Sequence, residues 1–270
     1  MFAVVLGAVL ASKWSFGALA LVIALGGTWE FYRFAEKAGY APQRIMGITA
    51  TVAIVSFSVM LMMSIYDELP SALSVMLIFI PALIVLILPT IFICELYKKS
   101  DTPVANIGST LMGVIYVALP MALLPFIPML LSPTAWQPWS VIFYIFIIWA
   151  NDVFAYLFGI TLGKHRLFER ISPKKSWEGF FGGVLGAMAM GYTAATILDG
   201  NTIVWVGMAL VAAISGVFGD LVESMFKRSV DIKDSGNIIP GHGGWLDRFD
   251  ALILSLPFVF IYLALATFIH

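Results

Sequence analysis

The most polar stretch of this very apolar chain, residues 219–250, carries two pairs of carboxylates with the same spacing. Asp220 and Glu223 end one apolar run, and Asp247 and Asp250 begin the next. Residues i and i+3 of a helix share a face, so each pair presents its carboxylates together. Hard oxygen ligands of this kind suit Mg²⁺, which commonly binds through one or two carboxylates together with substrate phosphates. We therefore predict that these four acids hold Mg²⁺, with Asp220 and Asp247 as the core ligands.

The same stretch contains cations and a glycine-rich loop, which favour phosphate chemistry. The glycines of the 240–244 loop carry no side chain, so the backbone can approach a ligand closely. Acids, a metal ion, cations and such a loop recur in enzymes of phosphoryl and nucleotidyl transfer. The alternative, a solvated interfacial loop, gives no reason to place acids against apolar runs. The candidates are Lys227, Arg228 and His242 for catalysis beside Asp220, Asp247 and Asp250, and Lys233, Asp234, Gly243, Gly244 and Arg248 for nucleotide binding.

His242 has two readings that the sequence leaves open. A single histidine in a glycine-rich loop could donate a hydrogen bond to a phosphate or to the backbone, or it could act as a base. The whole chain holds 3 histidines and 1 cysteine, and no second histidine is near in the sequence. This composition argues against a zinc site.

A further carboxylate, Asp152, lies deep in another apolar run, with Tyr156 one turn later on the same helix face. An ionisable group at membrane depth is costly and predicts a functional role. An internal salt bridge or a protonated packing residue is the alternative. We predict that Asp152 lies in the same site and contacts either the metal or the nucleotide.

The segment 172–179, SPKKSWEG, combines two lysines with a helix start. Ser176 and Glu178 open a helix whose N-terminal amides could hold an anion. Lys174 and Lys175 beside them would suit a polyphosphate. The alternative is a basic loop that is attracted to anionic lipid. All four residues join the nucleotide-binding candidates.

The composition predicts an all-α polytopic integral membrane protein. Of the 270 residues, 61% are hydrophobic and 11% are charged, against roughly 45–50% and about 25% in ordinary globular domains. The apolar runs have helix length and show no strand alternation. The net charge of −1 creates no field that would attract nucleic acid. We predict one membrane-embedded domain over 1–270, with its catalytic portion at about 145–255.

Nine hydrophobic segments predict about nine transmembrane helices. The first is short enough to be a partial or truncated span, and it lacks the charged start and cleavage site of a signal peptide. The second ends in WEFYR, residues 29–33, which we interpret as an interface anchor. Three prolines after residue 119 predict that the fifth span ends near 120 and continues as a bent loop. The segments are 1–12, 15–32, 45–65, 72–94, 104–130, 138–162, 180–198, 203–224 and 250–269.

The basic residues predict the orientation. Every Lys and Arg except Lys13 falls in alternate connections between these segments. The positive-inside rule therefore places those connections and the N-terminus in the cytoplasm, and the C-terminus outside.

With these motifs the chain resembles the phosphatidate cytidylyltransferase family, also called CDP-diacylglycerol synthases. The resemblance is carried by the segment from Ser224 to Asp250, by SPKKSWEG and by the stretch 152–156, and it covers essentially the whole chain. Two departures are modest: the family's basic residue and Thr-Gly segment before the first span are absent, and Ser176 stands where many relatives have threonine. The motif positions are Ser224, Lys227-Arg228, Lys233-Asp234, Pro240 to Gly244, Asp247-Arg248 and Asp250.

The resemblance implies that CTP and phosphatidic acid give CDP-diacylglycerol and diphosphate in a Mg²⁺-dependent reaction. The presence of a second metal ion stays open at this point. It also implies a homodimer in the cytoplasmic membrane of a bacterium, with the active site facing the cytoplasm. A CTP-dependent lipid kinase of the polyprenol or phytol type is the alternative enzyme. An ion-coupled transporter is the alternative from another class, although it predicts repeated halves and the sequence shows no repeat.

Overall fold

The computed structural model describes residues 2–67, 70–231 and 243–269, and these residues are mostly helical. Eight helical stretches among them are long and apolar enough to cross a membrane, which confirms the all-α polytopic membrane class. The helices are α1 (Phe2–Ala11), α2 (Lys13–Lys37), α3 (Arg44–Tyr66), α4 (Ser71–Ser74), α5 (Met76–Lys98), α6 (Pro103–Gly113), α7 (Leu119–Leu123), α8 (Phe126–Leu131), α9 (Pro138–Leu162), α10 (Trp177–Ile197), α11 (Thr202–Ser229) and α12 (Leu246–Ile269).

The predicted count of nine spans is not confirmed. Eight of the nine segments correspond to membrane-length stretches, with α6 to α8 forming one of them. The first segment is α1, a helix of 10 residues. At about 1.5 Å per residue it extends over about 15 Å, half of a ~30 Å hydrocarbon core.

The predicted end of the fifth span near Pro120 is wrong, because the helix continues past it. A π-helical turn, Val114–Ala118, joins α6 directly to α7, in which Pro120 is the second residue. Proline has no amide hydrogen, and its ring clashes with the carbonyl four residues earlier. The wider π-helical turn includes that residue, Tyr116, and accommodates the proline. The chain turns only at Leu124 and Pro125, before α8.

A β-hairpin also interrupts the helices, although the sequence showed no strand pattern. Strand β1 (Arg166–Phe168) pairs antiparallel with strand β2 (Ser172–Ser176), and Arg166 lies opposite Ser176. The backbone amide of Trp177 closes the hairpin on the carbonyl of His165, at 2.9 Å. The segment SPKK is therefore an ordered strand.

The described residues group into two compact units, and each unit takes two parts of the chain. The first unit comprises Ala3–Phe126 with Ser229–Phe249, and the second comprises Ile127–Arg228 with Asp250–His270. The single domain expected from the sequence stays a prediction.

In the first unit, the predicted interface anchor at residues 29–33 belongs mostly to the packed interior. Helix α2 runs on to Lys37, and Glu30 and Tyr32 are completely buried within it. The Tyr32 hydroxyl donates a hydrogen bond to the carbonyl of Thr110, at 2.9 Å. Trp29 and Arg33 are exposed, and the Arg44 guanidinium lies over the Trp29 ring at 4.6 Å. The anchor interpretation is therefore wrong for Glu30 and Tyr32.

In the second unit, α10 packs closely along α9 because glycines line the contact. The face of α10 that carries Gly182, Gly183 and Gly186 meets the side chains of Phe158 and Phe154 and the backbone of α9. Small residues allow membrane helices to approach each other in this way. The close packing fixes the α9 segment that carries the predicted functional residue Asp152.

Replacing Gly183 with alanine should disrupt this contact. A Cβ atom at Gly183 would lie 2.6 Å from Asn151 Oδ1 and 2.8 Å from the Asn151 carbonyl oxygen, so the helices must separate. We expect Gly183→Ala to lower the free energy of unfolding by about 1–3 kcal/mol, the usual cost of overpacking. The measurement is the thermal unfolding midpoint of the purified protein in detergent.

Gly108→Ala is the matched control, since a Cβ atom at this exposed position of α6 would meet nothing within 4 Å. Alanine is the better helix former, so this variant should be neutral or slightly stabilising. An unfolding midpoint for Gly183→Ala equal to that of Gly108→Ala would contradict the packing argument.

Candidate active site

A cavity of about 560 Å³ lies within the second unit and contains most of the polar residues predicted there. It is bounded by α9, the hairpin, the first turn of α10 and the last part of α11. Its polar lining residues are Asn151, Asp152, Tyr156, Arg166, Ser172, Lys174, Lys175, Ser176 and Asp220.

Ser176 begins α10 as the sequence predicted. Its side-chain oxygen accepts a hydrogen bond from the Gly179 amide at 3.1 Å, which satisfies one of the free amides at the helix start. The residue is 4% exposed, and glycines surround its hydroxyl group. A Cβ atom at Gly179 would lie 2.7 Å from the Ala155 carbonyl oxygen, so the close approach of α9 requires glycine there.

An ion pair between Lys175 and Asp220 connects the hairpin to α11 across the cavity wall. The Lys175 Nζ lies 2.5 Å from Asp220 Oδ2, and the Ser224 hydroxyl donates to Asp220 Oδ1 at 3.3 Å. Both members of the pair are partly exposed, and both line the cavity. A ligand in the cavity can therefore meet one cation and one carboxylate that already hold each other in place.

Asp152 and Asp250 surround this pair with additional negative charge. Asp250 lies within electrostatic range of Asp220, Asp152 and Lys175, and Asp152 within range of Lys175 and Asp220. Within that range the three carboxylates have Lys175 as a counter-charge, and Lys174 and Arg166 also line the cavity. Like charges repel strongly where the surrounding dielectric constant is low, so a cation bound among the three carboxylates would be stabilised.

This donor set fits Mg²⁺ by its chemistry, since it consists of hard carboxylate oxygens. No three His, Cys, Asp or Glu side chains in the described parts of the chain are arranged around one point as a ready-made metal site. The predicted Mg²⁺ site therefore stays a prediction.

Glu223 forms a separate ion pair on α11. Its carboxylate is 2.5 Å from Lys227 Nζ, one turn later, and the Glu223 side chain is 1% exposed. The two residues, one predicted as a metal ligand and the other as catalytic, neutralise each other. Arg228 follows as an exposed residue at the end of α11.

Glu178 was predicted to bind the nucleotide, and its carboxylate contacts the chain that leads into the hairpin. It accepts hydrogen bonds from the backbone amides of Lys164 and His165, and it lies 2.6 Å from His165 Nδ1. Glu178 does not line the cavity. These contacts fasten the hairpin to the first turn of α10, so Glu178 orients the strand that carries Lys174 and Lys175.

Asp247 and Arg248, at the start of α12, lie in the first unit, whereas Asp250 lies in the second. Asp247 Oδ2 accepts a hydrogen bond from the Gly244 amide at 2.8 Å. Gly243 has φ of +79°, and a Cβ atom there would lie 2.8 Å from Asp247 Oδ2, so this position requires glycine. Arg248 is exposed in the first turn of α12. Lys233, Asp234 and His242 lie outside the described residues.

Two functional candidates escaped the reasoning from sequence. Asn151 lines the cavity beside Asp152, is 2% exposed, and its Oδ1 atom has no hydrogen-bond partner among the described residues. Arg166 reaches the same cavity from β1. Asn151 could have been found as a polar residue inside an apolar run, whereas no sequence signal placed Arg166 opposite Ser176.

Comparisons with known proteins agree with the resemblance. The model of the cytidylyltransferase family matches residues 1–266. A phosphatidate cytidylyltransferase of Staphylococcus aureus is 47% identical over 119 residues, which cover 43% of this chain and 46% of that protein. One from Staphylococcus epidermidis is 44% identical over 125 residues, covering 46% and 48%.

The chain spans about half the length of these two relatives in the matched regions. A phosphatidate cytidylyltransferase of Rickettsia bellii matches further, with 39% identity over 168 residues, which cover 59% of this chain and 71% of that protein. Since the family model extends over nearly every residue, the chain belongs to the cytidylyltransferase family.

Proposed function

We propose that this protein is an enzyme that transfers the cytidylyl group of CTP to phosphatidic acid. The products would be CDP-diacylglycerol and diphosphate, an early step of phospholipid biosynthesis. Family membership and the names of the relatives support the reaction class. The observation that carries the proposal is the Lys175–Asp220 pair, with two further carboxylates, at a cavity bounded by membrane-length helices.

The cavity residues supply the cations and hydrogen-bond donors that a nucleoside triphosphate requires. Lys174 and Lys175 offer cations to the phosphates from one strand. The amides in the first turn of α10, beside Ser176, offer donors at the positive end of a helix dipole. Asp220, Asp250 and Asp152 would hold Mg²⁺, which when bound supplies charge neutralisation on the CTP phosphates. That Asp247 is also a metal ligand, and that a second metal ion binds, stay predictions.

The reaction needs little acid–base chemistry from the protein. A phosphate oxygen of phosphatidic acid attacks the α-phosphorus of CTP, a new P–O bond forms, and the bond to the bridging oxygen of diphosphate breaks. The second pKa of a phosphate monoester is about 6, so the attacking group is largely ionised at neutral pH. Lys175 can hold the leaving diphosphate while the carboxylates orient the reactants, so catalysis is mainly positioning and electrostatics.

The site should face the cytoplasm of a bacterium. The hairpin with Lys174 and Lys175 is one of the basic connections that the positive-inside rule assigns to that side. CTP is a charged, water-soluble substrate, whereas phosphatidic acid remains in lipid, so a site at a membrane boundary serves both. The homodimer is part of the proposal, and cross-linking in native membranes would test it.

Diphosphate release by the purified protein tests the reaction. Given CTP, phosphatidic acid and Mg²⁺, the protein should release diphosphate and form a CDP-lipid, because the bond broken lies between the α- and β-phosphates. Omitting the lipid or chelating the metal should abolish the release. The measurement is a coupled diphosphate assay together with chromatography of the lipid product.

Different products would point to the alternatives. CDP with a newly phosphorylated lipid would identify a lipid kinase, since the γ-phosphoryl group would then be transferred. A folded protein without nucleotide turnover at any metal concentration would leave the transporter as the better interpretation.

Replacing Asp220 with asparagine should strongly impair turnover. Asp220→Asn keeps the side-chain size but removes the charge that holds Lys175 and contributes to the carboxylate cluster. We expect kcat to fall about 10²–10³-fold, the scale found for preorganised electrostatic groups. Initial rates at saturating CTP, with the unfolding midpoint measured in parallel, check this.

Asp101→Asn is the control for that experiment. Asp101 is exposed at the bend before α6 in the first unit and should tolerate the same change without loss of rate. Near-normal turnover of Asp220→Asn would remove this residue from the proposed site, whereas a collapse of its unfolding midpoint would show a structural role only.

A further inference from the structure

Glu30 is a completely buried carboxylate that neither the motifs nor the cavity explain. It is the one acidic residue in the apolar segment 15–32. Burying a carboxylate costs several kcal/mol unless it is paired or hydrogen-bonded. A buried ionisable group in a membrane-length helix therefore has a partner that justifies it.

One contact of Glu30 is with the first residue of α12. Its Oε2 atom accepts a hydrogen bond from the backbone amide of Leu246, at 2.9 Å, although the residues are 216 positions apart in the chain. Leu246 is the first residue of α12, and the first amides of a helix lack partners within the helix. A carboxylate at this end also interacts favourably with the helix dipole.

A second contact from the same face of α2 also holds the start of α12. Gly26 lies one turn before Glu30, and a Cβ atom there would lie 2.6 Å from Trp245 Cγ. The Trp245 ring in turn stacks on Phe249, with ring centroids 5.9 Å apart. Helix α2 thus holds the start of α12 through one hydrogen bond and one close aromatic contact.

The segment held in this way carries Asp247. Its carboxylate accepts the Gly244 amide hydrogen, and the positive φ of Gly243 makes this geometry possible. We infer that Glu30 is a positioning residue for the reaction: by accepting the Leu246 amide hydrogen it fixes the first turn of α12 and the direction of Asp247. This inference rests on the proposed function for its catalytic consequence, but its structural part does not.

Hydrogen–deuterium exchange of residues 243–250, combined with kinetics, tests the inference. Glu30→Ala removes the acceptor and should speed exchange at the start of α12 about five- to thirtyfold, the fold-change expected for a lost helix cap. Turnover should fall about 10- to 100-fold, as when the hydrogen-bonding support of a catalytic group is removed. Glu30→Gln keeps an acceptor oxygen and should restore most of both properties.

Thr28→Val is the matched control for general destabilisation. It removes a buried hydrogen bond of 3.2 Å that Thr28 of the same helix forms with Thr51 of α3, and not with α12. Its exchange at 243–250 should equal that of the unaltered protein. If Glu30→Ala does not fold, Gly26→Ala displaces Trp245 without altering the carboxylate and should produce the same local increase in exchange.

Three outcomes would overturn the inference: exchange at 243–250 unchanged in Glu30→Ala, faster exchange with unchanged turnover, or a Glu30→Gln variant as impaired as Glu30→Ala in both measurements. Exchange requires neither CTP nor lipid. A protein that lacks cytidylyl transfer but shows the local exchange effect would therefore contradict the proposed function and leave the role of Glu30 at α12 intact.

Discussion

The central constraint on this protein is the cost of placing carboxylates in apolar helices. The structure meets that cost in different ways. Glu223 pairs with Lys227 one turn away, and Glu30 accepts an amide hydrogen from another helix. Asp220 pairs with Lys175 but remains at a cavity wall, with Asp152 and Asp250 within electrostatic range. Asp220 is partly exposed at the cavity wall, so among these carboxylates it is well placed to meet a charged reactant.

Features that depend on neighbouring residues were predictable from the sequence. The membrane-length helices follow from hydrophobic length, and the start of α10 at Ser176 follows from a hydroxyl that can reach an amide three residues later. Asp152, Lys175 and Asp220 were also predicted to belong to one site, and all three line the cavity although they are distant in the chain. The glycines of the 240–244 loop predicted a close approach of the backbone to a ligand, which stays a prediction, and Gly243 packs closely against Asp247.

Features that depend on distant or compensating contacts were not predictable. Pro120 should end a helix, but a π-helical turn before it relieves the clash of the proline ring with the preceding turn. No local sequence feature predicts that π-helical turn. The strands of the hairpin are too short to show a sequence pattern of their own. The hairpin is held partly by Glu178, which accepts hydrogen bonds from the Lys164 and His165 amides. Leu246, whose amide donates a hydrogen bond to Glu30, is 216 residues away in the chain, and no local sequence rule connects the two residues.

Spacing alone therefore cannot separate a structural carboxylate from a functional one. Asp220 and Glu223 share a helix face in the sequence and were both predicted as metal ligands, with Asp220 in the core of the site, yet of the two only Glu223 is enclosed with its counter-charge, at 1% exposure. The side chain of Asp220 is 42% exposed and reaches the cavity. A buried, neutralised pair mainly stabilises its helix, whereas a partly exposed pair can exchange its partner for a ligand. The lysine that pairs with Asp220 comes from the hairpin, so the strand proposed to offer cations to a phosphate also holds this carboxylate at the cavity wall.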